Sequence, residues 1–258
     1  MICLKEHYRL YRFVRWAVKC VFPKIAVEGI ENLPEEPCIL VGNHSHMYGP
    51  IAAELYTPGA HYTWCAGEMM QLEEVPDYAY RDFWSNKPKA LRWFYRGLSY
   101  VIAPLSVLVF NNARTIGVYH DGRILSTLKT TLKRLEEGNH IVIFPEENER
   151  YNNIVNNFQT GFVDVARLYY KRTGKNLSFV PVYLAPKRKT MYLGKPVVYC
   201  PENSQEEERN RICRELMERI TETARSLPRH RVVPYQNIPK REYPFNIPAE
   251  ADYEKTGG

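Results

Sequence analysis

The length and composition of the chain are those of a globular protein that buries a core. Its 258 residues are 45% hydrophobic and 25% charged, which suffices for one large α/β domain. No apolar run reaches the ~18–20 residues that a membrane-spanning helix needs, so we expect a protein that touches a membrane at most. The net charge of +6 favours anionic partners such as phosphate groups, coenzyme A, acidic lipid headgroups or nucleic acid, although a mildly basic cytosolic protein has the same balance.

The cysteines form neither a metal-binding nor a disulfide pattern. Six stand at positions 3, 20, 38, 65, 200 and 213, without a Cys-x-x-Cys pair or a histidine at zinc spacing. Most lie among apolar residues, so we expect reduced, buried thiols in a cytoplasmic protein and no metal site. Basic residues interrupt the apolar residues near the N-terminus, and no secretory signal is expected.

Residues 1–24 predict an N-terminal amphipathic helix with its body at 6–22. Its basic residues share one helical face: Arg9, Arg12, Arg15 and Lys19. This pattern suits a helix that lies in an anionic membrane interface. It equally suits a helix packed on the protein with a solvated basic side. Pro23 ends the helix, and residues 24–29 predict an edge strand.

Cys38 to Val41 predicts a strand buried on both faces, and Asn43-His44-Ser45-His46 follows it directly. Open α/β sheets bind ligands beyond the carboxyl ends of their strands. An imidazole, with an unperturbed pKa of about 6.5, accepts a proton near neutral pH. His44 is therefore a candidate general base, and a hydrogen-bonded turn histidine is the alternative.

Aromatic and apolar residues dominate the middle of the chain. Pro50 favours a short helix through Leu55, and residues 56–97 predict a long, irregular, aromatic-rich segment. Residues 98–110 form the most apolar window and include Pro104. We expect a buried helix in this window in preference to a re-entrant one.

From Thr115 onward, predicted strands alternate with predicted helices. The strands are at 116–119, 141–144, 177–184 and 190–199, and the helices are at 123–137, 160–172 and 204–226. This alternation predicts a single α/β domain over residues 25–227, with a mostly parallel sheet flanked by helices. Ser204 and Glu207 form a capping box for the last helix. The proline-rich residues 228–258 predict an extended or disordered tail.

Four short stretches stand in order, each at the end of a predicted strand. They are Asn43-His44 near Pro50, Ile116 to Asp121, Phe144-Pro145-Glu146 and Val180-Pro181-Val182. This order resembles the glycerolipid acyltransferase family, of the lysophosphatidic acid acyltransferase type. The family's blocks are Asn-His-x-x-x-x-Asp, Gly-x-x-Phe-x-x-Arg, Phe-Pro-Glu-Gly-Thr-Arg and Val-Pro-Val. The resemblance covers about residues 25–200.

The resemblance implies an enzyme that moves a fatty acyl group from acyl-coenzyme A or acyl carrier protein to the hydroxyl of a lysophospholipid or glycerol-phosphate-type acceptor. His44 matches the family's general base, and Glu146 matches a glutamate that holds the acceptor's phosphate region. The carrier is a co-substrate, and no bound cofactor is expected. We expect a lipid substrate, an anionic membrane surface and acyl carrier protein as partners, with the protein peripheral on the cytoplasmic side of the inner membrane.

The chain departs from the family blocks at several positions. The family's aspartate falls on Gly49, which has no carboxylate to orient the imidazole. The remaining predicted substrate-binding residues replace or neighbour the family's arginines: His120, Arg114, Arg123 and Arg150. Glu54, or the acidic cluster 146–149, is a candidate substitute carboxylate. There are two alternatives. His46 acts with His44 as a relay, or the site has lost catalysis and keeps only lipid or acyl-chain binding.

Other classes lack their motifs in this sequence. It contains no Gly-x-Ser-x-Gly elbow, no phosphate-binding Gly-Lys-Ser/Thr loop, no Gly-x-Gly-x-x-Gly and no His-Glu-x-x-His. Basic residues cluster only at 187–189 and in the N-terminal helix, so nucleic-acid binding is not expected.

Overall fold

The computed structural model describes residues 2–84, 88–119 and 121–248. The chain divides into two compact units. The smaller unit comprises Met1–Pro23 and His61–Arg134, and the larger unit comprises Lys24–Ala60 and Leu135–Gly258. The predicted domain limits at residues 24 and 227 stay a prediction.

The helices and strands follow the predicted alternation. The helices are α1 (Ile2–Val21), α2 (Tyr48–Tyr56), α3 (Val75–Ala79), α4 (Arg92–Asn112), α5 (Ile124–Glu136), α6 (Asp164–Thr173) and α7 (Gln205–Ser226). The strands are β1 (Ala26–Glu28), β2 (Cys38–Gly42), β3 (His61–Ala66), β4 (Thr115–Val118), β5 (His140–Ile143), β6 (Glu146–Arg150), β7 (Asn156–Phe158), β8 (Ser178–Ala185), β9 (Thr190–Leu193) and β10 (Val197–Val198).

The larger unit is built on a sheet with β2 near its centre. Five of its strands lie in the order β1-β9-β8-β2-β5, and β10 also pairs with β8. β2 is parallel to both β5 and β8, with Leu40 opposite Val142 and Val180. All five residues of β2 are buried, as its unbroken apolar run predicts. The carboxyl ends of β2, β5 and β8 therefore meet at one edge of the sheet.

Helices cover both faces of this sheet. On one face, Ala53 of α2 lies over Leu40 and Leu184. On the other face, α7 packs on β8, through the predicted stripe of Ile212, Leu216, Ile220 and Ala224, all of which are buried. The predicted capping box of α7 is present, because the side chains of Ser204 and Glu207 bond each other's backbone N–H groups.

The smaller unit pairs β3 with β4 in parallel and packs α5 on them. Trp64 donates to the hydroxyl of Thr131 at 3.0 Å, and Thr127 donates to the carbonyl of Gly117 at 2.6 Å. The sequence does not predict β3, because the only buried residues of this strand are the polar His61 and Thr63, so its buried positions show no apolar pattern.

The expectation of a buried helix at 98–110 is wrong. α4 spans the window, but only its small residues Ser99, Ala103 and Ser106 are fully buried. Five of its large apolar residues are exposed, Val101 to 74%: Trp93, Phe94, Tyr100, Val101 and Leu105. Hydropathy alone does not distinguish a core helix from one whose apolar side is uncovered.

The proline-rich tail follows a defined path through residue 248. Val232 and Asn246 are buried. The side-chain carbonyl of Asn246 accepts from the N–H of His230 at 2.7 Å, and its amide donates to the carbonyl of Ala224 at 2.7 Å. The ring of His230 lies 2.8 Å from the hydroxyl of Tyr183. Residues 228–248 are thus packed on β8 and the end of α7.

An α/β fold with a mostly parallel sheet flanked by helices, and an N-terminal amphipathic helix, is confirmed. Residues 190–199, predicted as a strand pair or a hairpin, form the two strands β9 and β10. β9 and β10 do not form a hairpin with each other, because each pairs separately with β8.

Candidate functional site

The turn after β2 is tied to β8 by the side chain of Asn43. Its carbonyl oxygen accepts from the N–H of Leu184 at 2.7 Å, and its amide donates to the carbonyl of Leu184 at 3.1 Å. The same amide donates to the hydroxyl of Ser45 at 2.9 Å. Asn43 is buried, and these three bonds satisfy most of its hydrogen-bonding capacity. The asparagine of the Asn-His pair is therefore the anchor of the turn.

The turn itself is too tight for a side chain at position 49. Ser45 and His46 both adopt left-handed conformations, with φ of 47° and 54°, and the N–H of Gly49 donates to the carbonyl of His44 at 3.2 Å. A Cβ on Gly49 would lie 2.2 Å from that carbonyl oxygen. An aspartate therefore does not fit at this position with the present backbone.

Glu146 holds the backbone of this turn. One carboxylate oxygen accepts from the N–H of His44 at 2.6 Å, and the other accepts from the N–H of Asn156 at 2.8 Å. The side chain is buried, and burial raises the pKa of the carboxyl to about 7 despite the two backbone donors, which lower it. Both oxygens are thus bonded within the protein, so the carboxylate joins the β2 turn to β7. Its predicted contact with an acceptor phosphate stays a prediction.

The ring of His44 is enclosed by two aromatic side chains. It makes edge contacts with Phe144 at 5.5 Å and with Tyr235 at 5.8 Å between ring centroids. Burial lowers the pKa of His44 to about 4, while a hydrogen bond with the backbone of His46 raises it and the charge of His46 lowers it further. The imidazole is therefore neutral at physiological pH and has a free lone pair for a proton.

No carboxylate bonds this ring among the residues that the structure describes. The nearby carboxylate of Glu146 lies on the backbone N–H of His44 instead. Glu54, the candidate substitute, belongs to α2 and is not a partner of the ring. Among the described residues, the imidazole of His44 therefore has no carboxylate that would orient it.

Arg150 lines a cleft of about 170 Å³ in the larger unit. The other lining residues are mostly amides and prolines of the β6–β7 segment and the tail: Asn152, Asn153, Ile154, Asn156, Pro234, Gln236, Glu242 and Pro244. No described carboxylate pairs with Arg150. Asn156 lines this cleft, and its N–H also donates to Glu146. Glu146 in turn accepts from the N–H of His44, so one carboxylate links the wall of the cleft to the turn of His44.

The other predicted residues lie in the smaller unit. Arg123 pairs with Glu74 at 3.0 Å and with Asp121 at 2.8 Å, and its guanidinium lies 4.0 Å over the ring of Tyr119. Arg114 lies between α4 and β4, where its carbonyl accepts from Thr63 at 2.8 Å. His120 lies outside the described residues. Substrate binding by these three residues stays a prediction.

The sequence does not point to Tyr235 or Asn156 as site residues. Tyr235 belongs to a tail with few apolar residues, and Asn156 contributes only its backbone N–H to Glu146. Neither carries a motif. Among the described residues, no group of three or more histidine, cysteine, aspartate or glutamate side chains is arranged to hold a metal ion.

Replacement of Tyr235 by alanine is expected to raise the pKa of His44 from about 4 toward its ordinary 6.5. Tyr235 is part of what buries the ring, and water that enters in its place stabilises the imidazolium. An NMR titration of the His44 ring measures the change. Tyr151→Ala, which removes an exposed tyrosine, is the control and should leave the pKa of His44 in place. An unchanged pKa in Tyr235→Ala would mean that other residues set it.

Comparison with known proteins gives a distant structural likeness. No protein-family profile and no curated protein sequence match the chain. Among solved structures, the 1-acyl-sn-glycerophosphate (LPA) acyltransferase PlsC from Thermotoga maritima is 16% identical with a TM-score of 0.43, over 85% of this chain and 79% of that chain. A likeness this distant does not transfer residues or substrates. The resemblance of the four sequence blocks therefore stays a resemblance.

Proposed function

We propose that the chain is an acyltransferase that moves a fatty acyl group from acyl-coenzyme A or acyl carrier protein to the hydroxyl of a lysophospholipid or glycerol-phosphate-type acceptor. One observation supports this most directly. A neutral imidazole, that of His44, stands at the carboxyl edge of the parallel strands, on a turn fixed by Asn43 and Glu146. Such an edge is where α/β sheets bind ligands.

In this proposal the imidazole acts as a general base. It takes the proton of the acceptor hydroxyl as the oxygen attacks the thioester carbonyl, which gives a tetrahedral intermediate. Collapse of the intermediate breaks the carbon–sulfur bond, and the imidazolium returns its proton to the departing thiolate. An alcohol needs such a base because its own pKa is far above 7. The low pKa of His44 keeps the base form populated but makes it a weak base, so positioning must supply part of the rate.

Arg150 is the proposed contact for a phosphate of the acceptor or of the carrier. Its guanidinium is exposed and has no paired carboxylate among the described residues, and the cleft that it lines contains amide groups suited to polar headgroup atoms. Glu147 and Glu149 lie in the same strand as Arg150. Their negative charges repel a phosphate, which favours an acceptor that tolerates nearby negative charge over free glycerol phosphate.

A product assay tests the proposal. The purified full-length chain is incubated with palmitoyl-coenzyme A or palmitoyl-acyl carrier protein and a panel of lysolipids, and the diacyl product is measured by mass spectrometry. His44→Ala should lower the rate by about 100-fold or more. His46→Asn is assayed beside it, since asparagine tolerates the left-handed backbone of that position. A wild-type rate in this variant is expected and would exclude the alternative relay through His46. Full turnover in His44→Ala would overturn the mechanism.

The second candidate is a lipid or acyl-chain binding protein on the same scaffold. The ring of His44 without a bonded carboxylate favours it, because loss of the equivalent aspartate in a serine protease lowers the rate by about 10⁴. This candidate predicts that the chain binds the acyl donor or lysolipid while thioester is not consumed above the rate of a chain-free control. Consumption of the thioester would identify the acyltransferase, and binding without consumption would identify the binding protein.

A further inference from the structure

α4 presents a continuous apolar stripe to solvent. Trp93 is 75% exposed and Val101 is 74% exposed. The other large exposed residues of the stripe are Phe94, Tyr100 and Leu105. At about 100° per residue, positions 93, 94, 100, 101 and 105 fall within less than half of the helix circumference, so these residues share one side of the helix. Monomeric soluble proteins rarely leave so many large apolar side chains together in water.

The opposite side of α4 is attached to the smaller unit along its length. Ser99, Ala103 and Ser106 are buried against that unit. The hydroxyl of Ser106 donates to the carbonyl of Met69 at 3.0 Å, and the amide of Asn111 donates to the carbonyl of Met70 at 2.9 Å. The helix therefore lies flat on its unit with one face covered and one face open.

α1 packs beside α4 and also has exposed apolar residues. Its Tyr11 is buried, while the large apolar residues Leu10, Phe13 and Trp16 are exposed. The rings of Phe13 and Trp16 are in contact at 5.8 Å. We refer to the exposed apolar residues of α1 and α4, together with the basic residues of these two helices, as the α1–α4 surface.

The charged side chains that the structure describes in α1 and α4 are all positive. From Tyr8 to Pro23 and from Pro88 to Arg114 there is no acidic residue. The basic residues of these two stretches are Arg9, Arg12, Arg15, Lys19, Lys89, Arg92, Arg96 and Arg114. A second copy of the chain would bring equal charges face to face, which opposes self-association. Anionic headgroups above a hydrocarbon layer complement both the charge and the apolar stripe.

We propose that the α1–α4 surface inserts α4 into the plane of an anionic phospholipid membrane. Contrary to the expectation from the sequence that no segment is long enough to span a membrane, Lys89–Asn112 is, among the described residues, the one helix long and apolar enough to cross a bilayer, and only 17% of its most apolar window is buried. It lies in the plane instead, because its covered face is bonded to Met69 and Met70 and β4 begins at Thr115, directly after the helix. This inference does not depend on acyl transfer.

Vesicle flotation tests the surface without any acyl donor or acceptor. The full chain should float with vesicles of phosphatidylglycerol and phosphatidylcholine, and less with phosphatidylcholine alone. Trp93→Ser/Val101→Ser/Leu105→Ser should weaken partitioning by about tenfold or more. The matched control is Ile30→Ser/Leu125→Ser/Val198→Ser, which removes three apolar residues outside the surface that are 56%, 62% and 49% exposed and should float like the wild type. Equal flotation of the two triple variants, or a wild-type chain that does not float, would overturn the proposal.

Brominated lipids distinguish insertion in the plane from spanning. Tryptophan emission is compared in two single-tryptophan chains that both carry Trp16→Phe, Trp64→Phe and Trp84→Phe. One keeps Trp93, and the other carries Trp93→Phe with Leu105→Trp. In-plane insertion predicts that bromines near the headgroup end of the acyl chain quench both positions more than bromines near its middle. Deep quenching at position 105 alone would overturn the in-plane arrangement. Sedimentation without lipid should show a monomer, and a dimer that the first triple variant disrupts would assign the surface to a second copy instead.

Discussion

Replacement of Glu146 by glutamine is expected to change how stability depends on pH. Burial raises the pKa of this carboxyl from 4.5 to about 7, so the folded state binds the proton more tightly than the unfolded state. The stabilising contribution of the group is therefore fully present below pH 4.5 and is lost as the pH rises through about 7. Glutamine does not titrate, and its variant lacks this dependence.

Urea unfolding at about pH 5 and about pH 8 measures the difference. The wild type should lose up to about 3 kcal/mol relative to Glu146→Gln between these two conditions. The opposite titration of His44 is common to both chains and cancels in the comparison. Glu149→Gln, which changes an exposed carboxylate on the same strand, is the control and should follow the wild type. If the free energy of unfolding changed equally with pH in the wild type and in Glu146→Gln, the raised pKa of the buried Glu146 carboxyl would be contradicted.

Any side chain at position 49 is expected to destabilise the protein. Because a Cβ there would lie 2.2 Å from the carbonyl oxygen of His44, the turn must open, at a cost of about 3 kcal/mol. Gly49→Ala and Gly49→Asp should lose similar stability, since they share the clashing atom. The aspartate variant should also fail to increase turnover, although it restores the side chain of the resembled family.

Thermal unfolding of the two variants, with Gly161→Ala as the control, measures this effect. A Cβ on Gly161 meets no other atom within 4 Å, so that variant should unfold near the wild-type temperature. A Gly49→Asp chain that is as stable as the wild type and transfers acyl groups faster would show that the turn accepts a carboxylate beside His44.

The architecture of the larger unit follows from local sequence patterns. The unbroken apolar run of β2, the apolar stripe of α7 and its Ser204–Glu207 capping box each depend on residues close together in the chain. Such patterns determine the elements because burial and capping act over one or two turns or along one strand. Their order then restricts the sheet to a mostly parallel arrangement.

The details of the site depend on contacts that sequence patterns do not encode. The sequence indicates His44 and Glu146, but it does not reveal that the carboxylate bonds the backbone of His44 and leaves the ring alone. Tyr235 reaches that ring from a tail whose composition predicts an extended or disordered segment. The apolar composition of α4 likewise does not tell whether the helix is buried or exposed, because core helices and membrane-bound helices have the same composition.

The most direct test of the account is the pH dependence of acyl transfer by the wild type and by His44→Ala. Since burial lowers the pKa of His44 to about 4, kcat/KM should already be on a plateau by about pH 6 and should decline only in more acidic buffer. His44→Ala should be slower by about 100-fold or more throughout. A rate that is unchanged by the loss of the imidazole would contradict the account.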